Sequence, residues 1–292
     1  MTRPHSASVK RRAFTTSSLM FGLLSACIPN SGHHDSVLDM SGPVTTDRGL
    51  VFEDNTHDEL VVVRPVAGTL KTARVSVGTE NDDISWMEST VSGGGVLLMN
   101  VAVDSKQEDV VEQLIHMDSN TLAQTVFDVG APFNAIRQTE DGRYAVLFFE
   151  AGLPSKPLQN VNQAAIVDLQ AETVRLITVD GFGGRVRDVL FPDGGMGMDV
   201  AGISRDIAVF VASGEAVIVD LADPHVNDTQ VAFRFDTSSG FLPSAVLARP
   251  ADELVSTPSL FFVSSADADV TMLSLVEKVD ANDELSRFTV QP

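Results

Sequence analysis

The stretch AAIVDLQAETVRLITV, residues 164–179, sets two runs rich in Val, Ile and Thr on either side of the polar segment DLQAE. β-Branched residues suit a pleated, half-buried surface, and a polar break of this length lets the second run fold back on the first, so the stretch reads as a β-hairpin of alternating strands. The same grammar recurs in ELVVVRPVAGTLKTARVSV (59–77), QLIHMDSNTLAQTVFDV (113–129), AVIVDLADPHVNDTQVAFRF (216–235) and VTMLSLVEKVDANDELSRFTV (270–290). The position that follows each first strand is Arg64, Asp118, Asp168, Asp220 and Ser274. A period of about 50 residues, held over most of the chain, marks a repeat architecture.

Between these hairpins lies a second recurrent pair. ISWMESTVSGGGVLLMNVAV (84–103) and NAIRQTEDGRYAVLFFE (134–150) each place a strand, a Gly-containing turn and an apolar strand. RVRDVLFPDG with DIAVFVA, and SAVLARPADE with SLFFVSS, repeat the design with longer connections. Each period therefore supplies four strands, and helical periodicity is nowhere sustained; EDVVEQL (108–114) is the one short competitor. Four antiparallel strands per unit of this length indicate a β-propeller.

Residues 50–78, LVFEDNTHDELVVVRPVAGTLKTARVSVG, resemble the YVTN type of propeller repeat, and EDGRYAVLFF (140–149) resembles its inner hairpin. The resemblance runs from about Gly49 to Val290. It implies an all-β, β-propeller-like domain of about five four-stranded units. The Tyr-Val-Thr-Asn run itself is replaced by Leu50-Val51-Phe52-Glu53. The first unit, counted from Leu50, begins with its second strand. Either SVLDMSGPVTT (36–46) supplies the missing one, or the ring is gapped, open or incomplete; an irregular or open five-unit propeller is the preferred reading, and a sheared sandwich the alternative.

The sole cysteine lies in LMFGLLSACIPNSG, residues 19–32. A lead containing Arg3, Lys10, Arg11 and Arg12, a short apolar segment and small residues before a break form a secretory signal. Leu24-Ser25-Ala26-Cys27 resembles the lipobox of bacterial lipoproteins, which implies a diacylglyceryl group on Cys27 and a membrane partner through that anchor. Acyl chains contribute about 0.8 kcal/mol per buried CH₂, and two or more chains hold a protein stably. Ile28, by the same family's rule, favours the outer membrane. Lys10-Arg11-Arg12-Ala13-Phe14 resembles a twin-arginine export signal, with ordinary secretion as the alternative. The organisation expected is a signal peptide over 1–26, the lipidated cysteine and a flexible tether over 27–48, and the propeller over 49–292. His33 and His34, adjacent within the tether, lack the converging partners of a metal site.

The chain holds 40 acidic and 20 basic residues, a formal net charge of −20. A body so acidic is repelled by phosphate backbones, which excludes nucleic acid as a partner. The chain shows no G-x-S-x-G elbow, P-loop, H-E-x-x-H or C-x-x-C-H motif. Propeller sites form instead at the ends of inner strands, and the candidate inner strands are 84–88, 134–138, 185–189 and 244–247. These offer Asn134, Arg137, Arg185 and Arg187 as ligand-binding residues. The two arginines behind the glycines of GFGGRVRD are the most suggestive place for an anionic ligand; the structural alternative pairs them with Asp188 or leaves them to solvent. Asp280, Asn282 and Glu284 alternate as in a calcium loop but lack its glycine, and a turn accounts for them equally. Trp86 and Tyr144 are read as packing residues. No catalytic residue, metal or cofactor is expected. The function preferred is a lipid-anchored, non-catalytic binding or scaffold module for a protein or envelope component. The alternative is an exported propeller enzyme, lactonase-like with a metal or dehydrogenase-like.

Overall fold

In a computed structural model the chain is described at residues 39–57, 59–77, 83–103, 110–151, 160–180, 185–212, 214–223, 225, 230–235, 243–252, 257–264, 270–278 and 287–291. Cys27, the twin-arginine stretch, His33, His34, Asp280, Asn282 and Glu284 lie outside those residues. Every regular element among the described residues is a β-strand.

Five four-stranded antiparallel sheets follow one another along the chain. The first comprises β1 (Met40–Thr46), β2 (Gly49–Asp54), β3 (Glu59–Val66) and β4 (Thr69–Ser76). The second comprises β5 (Asp83–Ser89), β6 (Gly95–Val103), β7 (Val110–Asp118) and β8 (Gln124–Asp128). β9 (Ala135–Gln138), β10 (Tyr144–Phe148), β11 (Gln163–Asp168) and β12 (Thr173–Thr178) form the third. In the fourth, β13 (Asp188–Leu190) is followed by a separate hairpin of β14 (Met198–Val200) and β15 (Ile203–Arg205) before β16 (Ile207–Ala212), β17 (Glu215–Asp220) and β18 (Val231–Arg234) complete the sheet. The fifth comprises β19 (Pro243–Arg249), β20 (Ser259–Ser264), β21 (Val270–Lys278) and β22 (Arg287–Gln291). In each sheet the strands stand side by side in chain order, the up-and-down arrangement of a propeller unit. The fold is all-β and β-propeller-like.

The segment 36–46 does contribute the missing strand: Met40–Thr46, expected within the tether, lies beside β2 across the two-residue connection Asp47-Arg48. The short helical competitor is overruled as well, since Val110–Asp118 pairs along its whole length with Gly95–Val103. Pairing in a sheet satisfies the backbone groups of both segments along their length, whereas a short isolated helix is marginal in water.

The chain divides into two compact units, one of Arg48–Val77 with the described residues up to Pro43, the other of Val44–Asp47 with Gly78–Pro292. In the smaller unit Leu60, Val61, Val62 and Val63 of β3 are buried. The larger unit is built by stacking. Leu97, Met99 and Leu114 of the second sheet pack against Ile136, Leu147, Ala165 and Val167 of the third. The opposite face of the third, with Val146, Phe148, Ala164 and Ile166, packs against Phe210, Val217 and Val219 of the fourth. Val209, Val211 and Ile218 then meet Leu260, Phe262 and Leu273 of the fifth. A central sheet is thus covered on both faces. That is why β11 and β17 carry the continuous buried runs Ala164–Val167 and Ala216–Val219 instead of the alternation expected from sequence. Alternation is seen toward the outside, as in β18.

Candidate functional site

The recurrent aspartate is a turn device. Asp168 Oδ1 accepts the amides of Gln170 and Ala171, Asp118 Oδ1 those of Asn120 and Thr121, and Asp220 Oδ1 that of Ala222. Each carboxylate closes the turn from third to fourth strand with bonds that the backbone cannot supply itself. In the third and fourth sheets the second oxygen holds an arginine that precedes the second strand. Arg143 reaches Asp168 at 3.1 Å and Arg205 reaches Asp220 at 2.9 Å. The two arginines are offset by one position: Arg143 directly precedes Tyr144, which lies opposite Asp168, whereas Arg205 stands two residues before Ile207, which lies opposite Asp220. Arg143 also bonds Asp206 at 3.2 Å, and the Tyr144 hydroxyl donates to the same oxygen at 3.0 Å, linking the third sheet to the fourth. Burial, with the Asp206 hydrogen bond, pushes the Tyr144 hydroxyl above its ordinary pKa, so it remains a donor. Burial likewise raises the Asp220 carboxyl against the hydrogen bonds from the Asp206 amide and Arg205. All these groups are committed to one another, as befits a structural latch.

The inner strands carry a second cluster. Asn134, just before β9, receives the Glu150 amide at its Oδ1 at 2.7 Å, which ties the entry of the first strand to the exit of the second. Arg137 of β9 donates through Nε to Asp188 of β13 at 2.9 Å, lies 3.5 Å from Glu150 and stands 5.7 Å from the centre of the Phe148 ring. Glu88 of β5 is exposed; partial desolvation raises its carboxyl pKa, and the positive charge of Arg137 offsets this in part. First strands of the third and fourth sheets therefore meet at one guanidinium.

Arg185 and Arg187 lie immediately before β13 and are both exposed. Asp188, weighed as their partner on sequence grounds, is turned to Arg137 instead. The structure therefore joins Asn134 to Arg137 through Glu150 and leaves Arg185 and Arg187 as a separate exposed pair. Glu88, Glu150 and Asp206 were not singled out in the sequence, since an isolated acid in a chain rich in acids gives no signal. Among the described residues no group of three or more His, Cys, Asp or Glu side chains converges to hold a metal. An open cavity of about 300 Å³ lies at the end of the third sheet, lined by Asn160, Gln163, Leu176, Ile177, Thr178 and Asp180.

No protein-family model and no curated protein sequence matches the chain. Solved structures similar to it include the tricorn protease, with a TM-score of 0.46 and 9% identity over 85% of this chain and 28% of that one. The C-terminal WD40 domain of Sif2 gives a TM-score of 0.42 with 11% identity, covering 88% of this chain and 62% of that one. TolB from Acinetobacter baumannii gives 0.37 with 11% identity, covering 87% and 58%. The chain thus spans well under two thirds of the tricorn protease and somewhat under two thirds of the other two. These are β-propeller proteins, and the likeness transfers no residue role.

Proposed function

We propose that the chain is a lipid-anchored β-propeller of the bacterial envelope that serves as a non-catalytic binding or scaffold module for a protein or envelope component. One observation supports the protein-binding part. In the fifth sheet the cross-strand rungs Leu247–Phe261–Met272 and Ala245–Val263–Val270 share one face. The matching rungs of the third sheet, Val146–Ile166 and Ala135–Phe148–Ala164, are buried against the fourth. In the fifth sheet Leu247, Met272 and Val270 are 48%, 47% and 58% exposed. Contiguous exposed apolar side chains on a rigid sheet mark an interaction surface.

The test is cross-linking in intact cells and capture through a C-terminal tag, comparing wild type with V270D/M272D. Both positions are exposed, so the variant keeps its fold. A protein enriched with wild type and lost with the variant supports the reading; equal recovery, or an empty capture, removes it. The anchor has its own test. Cys27→Ala is expected to release the body from washed membranes, and continued sedimentation would contradict lipidation at that residue. Localisation to the outer membrane follows from Ile28 by the lipoprotein rule and is checked by fractionating the two membranes.

A further inference from the structure

We propose that Arg185 and Arg187 form a binding site for a dianionic phosphate group. The first support is fixed geometry. Val186, between the two arginines, is 1% exposed and belongs to the core shared by the third and fourth sheets. Its carbonyl accepts the Ala151 amide at 2.9 Å, and the Arg187 amide donates to the Val211 carbonyl at 2.7 Å. With Val186 pinned inward and the backbone held by the exit of the third sheet and by β16 of the fourth, exposure alternates along the segment and Arg185 and Arg187 face outward. Their Cα atoms then stand roughly 6–7 Å apart, a span from which two guanidinium forks can close on one tetrahedral anion.

The second support is electrostatic. In a chain of 40 acidic and 20 basic residues, a carboxylate is the expected neighbour of any arginine. Every other arginine whose side chain is described has a partner, from Arg74 on Asp54 and Glu59 to Arg249 on Asp252. Arg185 and Arg187 alone have none among the described residues. Asp188, next to Arg187 in the chain, and Glu150, next to the residue bonded to Val186, are both held by Arg137. Arg137 thus keeps the adjacent pair available. Two neighbouring guanidiniums repel each other, and a ligand carrying about two negative charges relieves that repulsion where a single carboxylate does so by half. The planar forks also match phosphate oxygens bidentately.

The phosphate can belong to a soluble phosphorylated molecule or to a lipid headgroup; the strongly negative body disfavours approach to an anionic bilayer and so favours the soluble source. The experiment uses the full chain carrying Cys27→Ala, so that acylation does not dominate vesicle binding. Inorganic phosphate, glucose 6-phosphate and acetate are titrated calorimetrically, and phosphatidylcholine vesicles with and without phosphatidic acid are tested by flotation. The expected result is saturable phosphate binding that weakens by about tenfold or more in R185Q/R187Q, the loss of two charge-assisted contacts, and is unchanged in R249Q. Binding of glucose 6-phosphate assigns the soluble source, and arginine-dependent flotation with phosphatidic acid assigns the lipid. No saturable binding to any phosphate probe, equal affinity for acetate, or binding that survives R185Q/R187Q would overturn the proposal. Melting curves establish that R185Q/R187Q is folded. The apolar face of the fifth sheet plays no part in this readout, so the two proposals fail independently.

Discussion

Gly95 shows how closely one residue can be constrained. A Cβ there would meet His116 Nε2 at 2.7 Å and the Met117 carbonyl oxygen at 2.8 Å, and the second of these is backbone that cannot swing away. Gly95→Ala is therefore expected to destabilise the protein by about 1–3 kcal/mol, read as a lower urea midpoint at unchanged slope. His116 itself is coupled to pH. Burial lowers its pKa, and the nearby Asp118 offsets this only in part. A group whose pKa is depressed by folding contributes stability that is present above its unfolded value of about 6.5 and is lost as pH falls through the folded value. Stability should decline over that acidic interval, and His116→Gln should flatten the decline; urea titrations of both proteins across the interval provide the check. Asp54, in the smaller unit, shows the opposite balance for an acid. Burial alone would raise its carboxyl, but hydrogen bonds from Arg74 and His57 outweigh burial and hold it below the ordinary value.

At the scale of the element, the unit of construction is a four-stranded sheet, and in the second, third and fourth sheets its last turn is closed by a carboxylate. Asp168 accepts two turn amides and two nitrogens of Arg143, so Asp168→Ala removes the acceptor of four hydrogen bonds. The expected cost is about 1–3 kcal/mol, with faster hydrogen exchange at the Gln170 and Ala171 amides than elsewhere in the sheet. Ser274 stands at the matching position of the fifth sheet, where the carboxylate is missing, although the strand pairing still places it opposite Ser259 as Asp168 stands opposite Tyr144. The period was legible in the sequence because turn chemistry and strand composition are local. The role of the repeated aspartate was not, because its arginine arrives from a different strand. The β14–β15 hairpin also escaped notice, since three-residue strands carry too few side chains to show a period.

In the larger unit, stability and placement of the inner strands depend on bonds between consecutive sheets. Asp206 is the joint between the third and fourth: it takes Arg143, the Tyr144 hydroxyl and the Gly197 amide. A double-mutant cycle of Tyr144→Phe and Asp206→Ala is expected to give a coupling energy of about 1 kcal/mol, measured from denaturant unfolding of the four proteins. Additive effects would show that the bond is not felt. Outer strands are joined as well, through Arg175 on the carbonyls of Leu221 and Asp223 and through Gln230 between the Asp180 amide and the Thr178 carbonyl. Stacking leaves the final sheet with a face of the composition that is buried elsewhere, the basis of the proposed partner surface.

The amino-acid sequence by itself determined the all-β class, the repeat, four strands to a unit and the order of those strands, because alternation, β-branching and turn residues act within a few positions of one another. It also singled out Asn134, Arg137, Arg185 and Arg187, of which the structure puts Arg137 in β9, Asn134 just before it, and Arg185 and Arg187 just before β13. Only the tertiary structure decided that Arg137 pairs with Asp188, 51 positions away, and Tyr144 with Asp206, 62 away. Nothing local distinguishes those acids from the many others in the chain; packing of successive sheets brings them within bonding distance. The same packing holds Val186 in the core, turns Arg185 and Arg187 outward, and gives their neighbouring carboxylates to Arg137.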